Sequence, residues 1–294
     1  MPGGPFACPD PGRGTVRALA ESARRKESPL VVGLDPVPSR FPAELGGLPE
    51  PQATLEFCLG ILDAVEPYAA AVKPQVAFFE RLGPEGMEVY AALISAAKDL
   101  GLPVISDVKR GDIGPVAAAY AEAHLRLYGA TAVTVNPYMG SEAILPFLEE
   151  TRRQDVGGGI FVLVATSNPS SEEIQQTTQP PLHEVAARLV ADLGQRDGDY
   201  LDAGAVVGAT RPSVGRRVRE ILPEALFLSP GYGAQGGGEE EVLPLLDARG
   251  GGVLVNSSRA ILYAHEKTPL DYRQAAREAA RAAREDLRSA GVGF

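Results

Sequence analysis

Eight short apolar runs recur along this chain, and they constrain its fold more than any other feature. Each run is continuous rather than alternating and ends in a polar or Gly/Pro cluster, which is typical of parallel strands covered on both faces. The runs occupy residues 29–35, 69–74, 103–109, 131–137, 159–168, 203–210, 225–231 and 251–258.

Segments with helical periodicity separate these runs, and the last of them, "DYRQAAREAARAAREDLRSAG", is amphipathic. Eight strand–helix units without a break predict a (β/α)8 TIM barrel, an α/β fold in a single domain. A doubly wound open sheet is the alternative, but eight evenly spaced units favour closure. We expect residues 1–28 to form an N-terminal lead and first helix, and residues 29–294 to form the barrel and its C-terminal helix.

The net charge and the cysteine content argue against several classes of function. A net charge of −10 argues against non-specific binding to nucleic acid or acidic membranes. The two cysteines, Cys8 and Cys58, give neither a disulfide framework nor zinc-ligand spacing, so no metal site is expected. No apolar run has membrane-spanning length, and the N-terminus lacks a signal-peptide pattern. These features predict a cytoplasmic protein that does not associate with membranes.

The stretch "ISDVKRGDIG" crowds charges at the end of the third run. The chain has only five lysines, and two of them, Lys73 and Lys109, end neighbouring strands. Asp107 is two residues from Lys109 and so shares its face of the strand, which places the carboxylate between two ammonium groups. Such an array suits catalysis in a desolvated pocket. A purely structural ion-pair cluster is the alternative.

Two further carboxylates allow more than one interpretation. Asp112 follows a turn at Gly111, so it is poorly placed to reach the cavity of its own barrel. It could reach the site of a neighbouring subunit or cap the helix that starts near Gly114. Asp35, in "GLDP", could bind a sugar hydroxyl, although the residue alone favours a simple turn.

Loops after three strands are candidate ligand contacts. Gly-rich residues 229–238 and the "NSSRAI" stretch follow strands seven and eight, where barrels commonly bind phosphate. There Gly233 would allow close approach, Gln235 would bridge to the phosphate, and Arg259 would supply a bidentate cation. Flexible turns with a surface arginine are the alternative. The polar segment 167–181 is either a lid or a tolerated surface insertion.

Seven motifs, in order along the chain, resemble those of the orotidine 5′-phosphate decarboxylase family. "DVKRGDIG" resembles its Asp-x-Lys-x-x-Asp signature, and the long loop after strand five is similar to its longer, second subgroup. The other six are "GLDP", "AVKPQVAFFE", "VATSNPSS", "VVGATRP", "SPGYGAQGG" and "VNSSR". Residues 33–263 carry the resemblance. One departure is "PVAAAY" after "DIG", which lacks the threonine of the shorter subgroup.

The resemblance implies a role for each matching residue. Lys109 would protonate C6 of the pyrimidine, and Asp107 would face the substrate carboxylate. Asp112 would complete the site of the other subunit in a homodimer. Lys73 would help to hold the charged array and contact the ribose, and Asp35 would bind a ribose hydroxyl. Ser167 or Thr166 would contact the pyrimidine. Gln235 and Arg259 would hold the phosphate, with Gly233 and Ser258 as further substrate-binding residues.

The implied reaction is decarboxylation of orotidine 5′-phosphate to uridine 5′-phosphate and CO2, the last step of UMP synthesis. No cofactor motif is visible, so preorganised charges would have to stabilise the C6 carbanion. Three alternatives stay open: a Mg²⁺-dependent sugar-phosphate enzyme of the wider suprafamily, a Schiff-base aldolase using Lys73 or Lys109, and a non-catalytic nucleotide-binding barrel.

Overall fold

The structure, a computed structural model, describes residues 15–153, 158–208, 211–231 and 239–294. Eight parallel strands form the barrel: β1 (Leu30–Leu34), β2 (Ala71–Pro74), β3 (Ile105–Arg110), β4 (Ala132–Val135), β5 (Gly159–Ala165), β8 (Ala203–Val207), β9 (Phe227–Pro230) and β10 (Val253–Ser257). Two numbers are skipped because a short hairpin outside the barrel lies between β5 and β8 in the chain. Their order is β2-β1-β10-β9-β8-β5-β4-β3. Two parallel bridges, Val72 to Val104 and Gln75 to Asp107, join β2 to β3 and complete the ring. The predicted (β/α)8 barrel is therefore confirmed.

Helices alternate with the strands, as the apolar periodicity predicts. They are α1 (Thr15–Lys26), α2 (Glu50–Val65), α3 (Ala77–Glu80), α4 (Pro84–Asp99), α5 (Gly114–Ala121), α6 (Leu145–Thr151), α7 (Glu172–Gln175), α8 (Leu182–Leu193), α9 (Pro212–Ile221), α10 (Glu239–Val242), α11 (Arg259–Leu262) and α12 (Tyr272–Ser289). A π-helix, Glu122–Leu127, continues directly from α5. No helix in the described ranges is both long and apolar enough to cross a bilayer.

Two apolar layers build the core. Outward-facing residues of the strands, such as Val32 and Val133, pack against the helices in the larger layer. The smaller layer fills the barrel interior and includes Val31 and Phe161 together with α1. A Cβ atom at Gly159, which begins β5, would lie 2.7 Å from Val16 of α1. Helix α1 therefore closes the N-terminal end of the barrel and leaves the C-terminal mouth free.

The structure adds elements that the sequence patterns did not reveal. A short antiparallel hairpin joins β6 (Arg196–Asp197) to β7 (Tyr200–Leu201) between α8 and β8. The polar segment 167–181 contains a 3-10 turn, Pro169–Ser171, and helix α7. Part of this segment, for which a lid and a surface insertion were both open, therefore has regular structure.

Candidate active site

Four side chains on β2, β3 and β4 form what we call the charged wall of the mouth: Lys73, Asp107, Lys109 and Thr134. The Lys73 ammonium lies 2.9 Å from Oδ2 of Asp107, and the Lys109 ammonium lies 2.6 Å from Oδ1. Thr134 donates a 2.9 Å hydrogen bond to the same Oδ1. The predicted placement of Asp107 between two lysines is confirmed, and its carboxylate is fully paired within the protein.

Opposite charges keep the buried groups of this wall ionised. Burial alone would raise the pKa of Asp107, but the ammonium groups of Lys73 and Lys109 outweigh it and hold that pKa well below its usual range. Burial alone would lower the pKa of Lys73. The charges of Asp107 and Asp35 outweigh this effect, so the pKa of Lys73 is raised. The wall therefore presents fixed charges of alternating sign.

Lys109 differs from its neighbours in exposure and in backbone conformation. Its side chain is 45% exposed, whereas the side chains of Lys73 and Asp107 are 7% and 10% exposed. Lys109 is thus the member of the wall that is most open to a ligand in the mouth. Its φ of +45° lies in the left-handed region, which costs a non-glycine residue on the order of 1 kcal/mol. Strain of this kind is common at functional sites.

A second group of side chains, at the carboxyl ends of β1 and β10, forms what we call the open wall: Asp35, Asn256, Ser258 and Arg259. Within the described part of the chain, Oδ1 of Asp35 and Oδ1 of Asn256 are buried without a hydrogen-bond partner. Arg259 begins α11 and is exposed. Two acceptors without a partner among the described residues, beside an exposed guanidinium, are suited to a ligand that brings hydroxyl groups and an anion.

The open wall depends on glycine at position 33, which has no side chain. A Cβ atom there would lie 1.8 Å from the Ser258 hydroxyl and 3.2 Å from Oδ1 of Asn256. Glycine therefore lets Ser258 and Asn256 pack against the β1 backbone. Sequence analysis named Ser258 but missed Asn256, whose inward position on β10 was the available signal.

Tyr263 fixes the turn that carries Asp35. Its hydroxyl donates to the Asp35 carbonyl at 2.9 Å and accepts from the Val37 N–H at 2.7 Å. The ring is 2% exposed, and the Arg40 guanidinium lies 3.7 Å above it. Because Tyr263 follows α11, it joins the segment of Arg259 to the segment of Asp35.

Asp112 lies beyond the end of β3, and the ion pairs of Lys73 and Lys109 in the described residues are with Asp107 and not with Asp112. Its Oδ1 accepts a 2.8 Å hydrogen bond from the Ile113 N–H, and Ile113, not Asp112, occupies the N-cap position of α5. The capping alternative is therefore wrong.

Large exposed apolar side chains follow β3 and β4, and we call them the apolar face: Ile113, Val116, Tyr120, Tyr138 and Met139. The 2.8 Å hydrogen bond from the Asn136 N–H to the Arg110 carbonyl joins the ends of the two strands after which these residues lie. Exposed apolar patches of this kind mark interaction surfaces.

The residues expected to contact the pyrimidine follow β5. Thr166 makes two hydrogen bonds to the side chain of Gln175 in α7. The Thr166 hydroxyl accepts from Nε2 of Gln175 at 2.7 Å, and the Thr166 N–H donates to Oε1 of Gln175 at 3.2 Å. Ser167 is partly buried, and it packs so closely on Gly208 that a Cβ atom there would lie 2.9 Å from the Ser167 Cβ. Two other expected contacts, Gly233 and Gln235, lie outside the described residues.

Comparison with known proteins decides the family. The model of the "Orotidine 5'-phosphate decarboxylase / HUMPS family" matches residues 28–276. The chain belongs to this family. The resemblance drawn from seven short motifs is thereby confirmed across most of the sequence.

Full-length relatives agree with the family assignment. An orotidine 5′-phosphate decarboxylase of Deinococcus radiodurans is 43% identical over 94% of this chain and 97% of its own length. One of Delftia acidovorans is 40% identical over 93% of this chain and 98% of its own length. The solved structure of Leishmania donovani OMP decarboxylase is 33% identical, with a TM-score of 0.79 over 95% of this chain and 99% of that one.

Proposed function

We propose that this chain decarboxylates orotidine 5′-phosphate to uridine 5′-phosphate and CO2. The observation that carries the proposal is the charged wall, where Asp107 lies between two ammonium groups at the mouth of a barrel of this family. The named relatives, orotidine 5′-phosphate decarboxylases of matching length, support the same reaction.

The chemistry follows from the charges. The bond between C6 and the substrate carboxylate breaks, CO2 leaves, and the electron pair stays on C6. The exposed ammonium of Lys109 stabilises this carbanion and donates a proton to C6, after which water reprotonates the amine. Asp107, kept ionised, faces the substrate carboxylate and repels it in the ground state. We propose that these charges suffice without a cofactor.

The open wall binds the remainder of the nucleotide in this proposal. Asp35 accepts from a ribose hydroxyl, Lys73 contacts the ribose, and Arg259 and Ser258 hold the phosphate. Binding energy from this distant phosphate is available to offset the cost of placing two carboxylates together. Thr166 or Ser167 contacts the pyrimidine, and Gly233 and Gln235 complete the phosphate contacts.

The environment of Asp107 favours this reaction over the Mg²⁺-dependent alternative. Both of its oxygens already accept from cations, and two ammonium groups repel a divalent ion rather than attract it. The decisive experiment is an absorbance assay for loss of orotidine 5′-phosphate by the purified, metal-stripped protein. We expect turnover that a chelator does not change.

Each alternative function predicts a different experimental result. Activity restored only by added Mg²⁺ would indicate the metal-dependent enzyme. Trapping of a substrate adduct by borohydride would indicate a Schiff base on lysine. Tight binding of uridine 5′-phosphate with no turnover of orotidine 5′-phosphate would indicate a non-catalytic binding barrel.

We further propose that two copies of the chain form a homodimer through the apolar face, with Asp112 of each copy reaching the site of the other. Support comes from the exposed side chains of Ile113, Val116 and Tyr138 and from Asp112, a carboxylate beyond the end of β3 that bonds to the Ile113 N–H and not to the charged wall of its own chain among the described residues. A second copy would cover this patch symmetrically.

Mixing two inactive variants tests the shared site. A dimer of one Lys109→Ala chain and one Asp112→Ala chain contains a single site with both residues intact. Mixing equal amounts, with subunit exchange, should therefore restore about one quarter of wild-type activity. A mixture as inactive as its components would show that both residues act within one subunit.

A further inference from the structure

Strand β3 carries extra residues opposite one position of β4. Ser106 pairs with Val133, and the next paired residue, Arg110, pairs with Val135. Three residues of β3, 107 to 109, therefore face the single residue Thr134. This irregularity coincides with the left-handed φ of Lys109, so the two residues expected to act on the substrate lie within a bulge.

The Thr134 side chain replaces the backbone pairing that the bulge removes. Its hydroxyl accepts hydrogen bonds from the N–H of Val108 at 3.0 Å and from the N–H of Lys109 at 2.9 Å. It donates its own proton to Oδ1 of Asp107 at 2.9 Å. A hydroxyl has one donor and two acceptor sites, so this group is saturated. Thr134 is also 1% exposed, which excludes water as a substitute partner.

We propose that Thr134 is a positioning residue that sets the relative geometry of Asp107 and Lys109. Its two acceptor sites hold the strained backbone that turns Lys109 toward the mouth, and its donor site orients the Asp107 carboxylate. This inference rests on the proposed function, because the catalytic roles of Asp107 and Lys109 belong to it. Thr134 itself touches neither the substrate nor a reacting atom.

The matched variants are Thr134→Val and Thr134→Ser. Valine keeps the shape and loses all three hydrogen bonds, whereas serine keeps the hydroxyl and loses only a methyl group. A displacement of about 1 Å in a catalytic pair lowers turnover about 100-fold. We therefore expect Thr134→Val to lower kcat by about 100-fold and Thr134→Ser to stay within about threefold of wild type.

Thr131 supplies a control on the same segment. Its hydroxyl accepts a 3.0 Å hydrogen bond from the Val104 N–H, so it also pairs with the β3 backbone, but at the N-terminal end of the strand. Thr131→Val should leave kcat unchanged. A general weakening of the β3–β4 pairing would lower the activity of both valine variants.

A binding measurement separates positioning from damage to the site. Uridine 5′-phosphate lacks the carboxylate, and its ribose and phosphate lie against the open wall. Its dissociation constant should therefore stay within about threefold of wild type in Thr134→Val while kcat falls. Should the valine variant not fold, Thr134→Ala takes its place in the same comparison.

Two results would overturn the inference. One is a folded Thr134→Val or Thr134→Ala protein whose kcat is within threefold of wild type. The other is a Thr134→Ser protein as slow as the valine variant. Failure of the proposed function gives a different result, because the wild-type protein itself would then not turn over orotidine 5′-phosphate.

Discussion

The two walls of the barrel mouth use polar groups in opposite ways. On the charged wall, both oxygens of Asp107 and the hydroxyl of Thr134 are paired inside the protein. On the open wall, buried acceptor atoms of Asp35 and Asn256 have no partner among the described residues, and Arg259 is exposed. One wall is complete before a ligand arrives, and the other is left incomplete.

The contrast matches the two tasks of the proposed reaction. Charges that act on a transition state are most effective when they are already fixed, because no reorganisation is then needed during the reaction. Groups that bind a substrate must instead keep their hydrogen-bonding capacity free. We therefore expect substitutions on the charged wall to lower kcat, and substitutions on the open wall to weaken substrate binding.

Apart from the loss of Lys109, the largest effect is expected for Asp107→Asn on the charged wall. Asparagine keeps the shape but removes the negative charge between the lysines, so kcat should fall about 1000-fold while uridine 5′-phosphate still binds. Steady-state kinetics with saturating substrate measure this. The control is Asp99→Asn, which removes the same charge at an exposed position at the end of α4. A loss of less than tenfold would contradict the assigned role.

Arg259→Ala on the open wall should lower kcat/KM by about 100-fold, because it removes a charge-assisted contact to the phosphate. The same variant should turn over orotidine, which has no phosphate, as well as the wild type does. Arg281→Ala, on the exposed face of α12, is the control. Equal losses for both substrates would show that Arg259 does not bind phosphate.

Tyr263→Phe should raise KM about tenfold with little change in kcat, because two backbone groups beside Asp35 lose their hydroxyl partner. Tyr272→Phe is a matched control: Tyr272 is equally buried, and its hydroxyl donates to the Glu56 carbonyl at 3.4 Å and accepts from the Arg273 guanidinium at 3.0 Å, so neither partner belongs to the turn that carries Asp35. An equal change of KM in the two variants would contradict this prediction.

The last prediction concerns stability behind the charged wall and not activity. Burial, aided by the charge of Arg110, lowers the pKa of His124 to about 4. The unfolded chain then binds more protons than the folded one between that pKa and the ordinary value of about 6.5, so stability falls as pH falls through this range. Protonation of His124 alone should lower the free energy of unfolding by about 2 kcal/mol as the pH falls from 7 to 5.

Urea unfolding at the two pH values measures this loss. His124→Asn cannot titrate at that position, so its stability should depend less on pH than that of the wild type. If the two proteins show the same pH dependence, His124 is not the group responsible.

The fold was readable from the sequence because its strands are continuous apolar runs with turn residues at each end. The hairpin Arg196–Asp197 and Tyr200–Leu201 was not readable, since strands of two residues carry no periodicity. Segment 167–181 was expected to be a loop because it is polar, and polarity alone does not exclude the single helical turn of α7.

The charged residues of the site were readable for a different reason. Scarce lysines at the ends of apolar runs stand out, and Asp107 falls between them by strand geometry. Thr134 carries no charge and lies within an apolar strand, so nothing in the local pattern distinguishes it. Asn256 is also uncharged, and its inward position on β10 was the one signal that could have identified it. The bulge at residues 107–109 was also hidden, because a spacing of two indicates a regular strand.

The most direct test of the account is the turnover of saturating orotidine 5′-phosphate by Lys109→Ala, measured beside Lys109→Arg. Arginine keeps the positive charge next to Asp107 but does not give up a proton near neutral pH. The account predicts that both folded variants lose activity, by about 10⁴-fold or more for alanine. Near-normal turnover by either variant would contradict the claim that Lys109 delivers the proton.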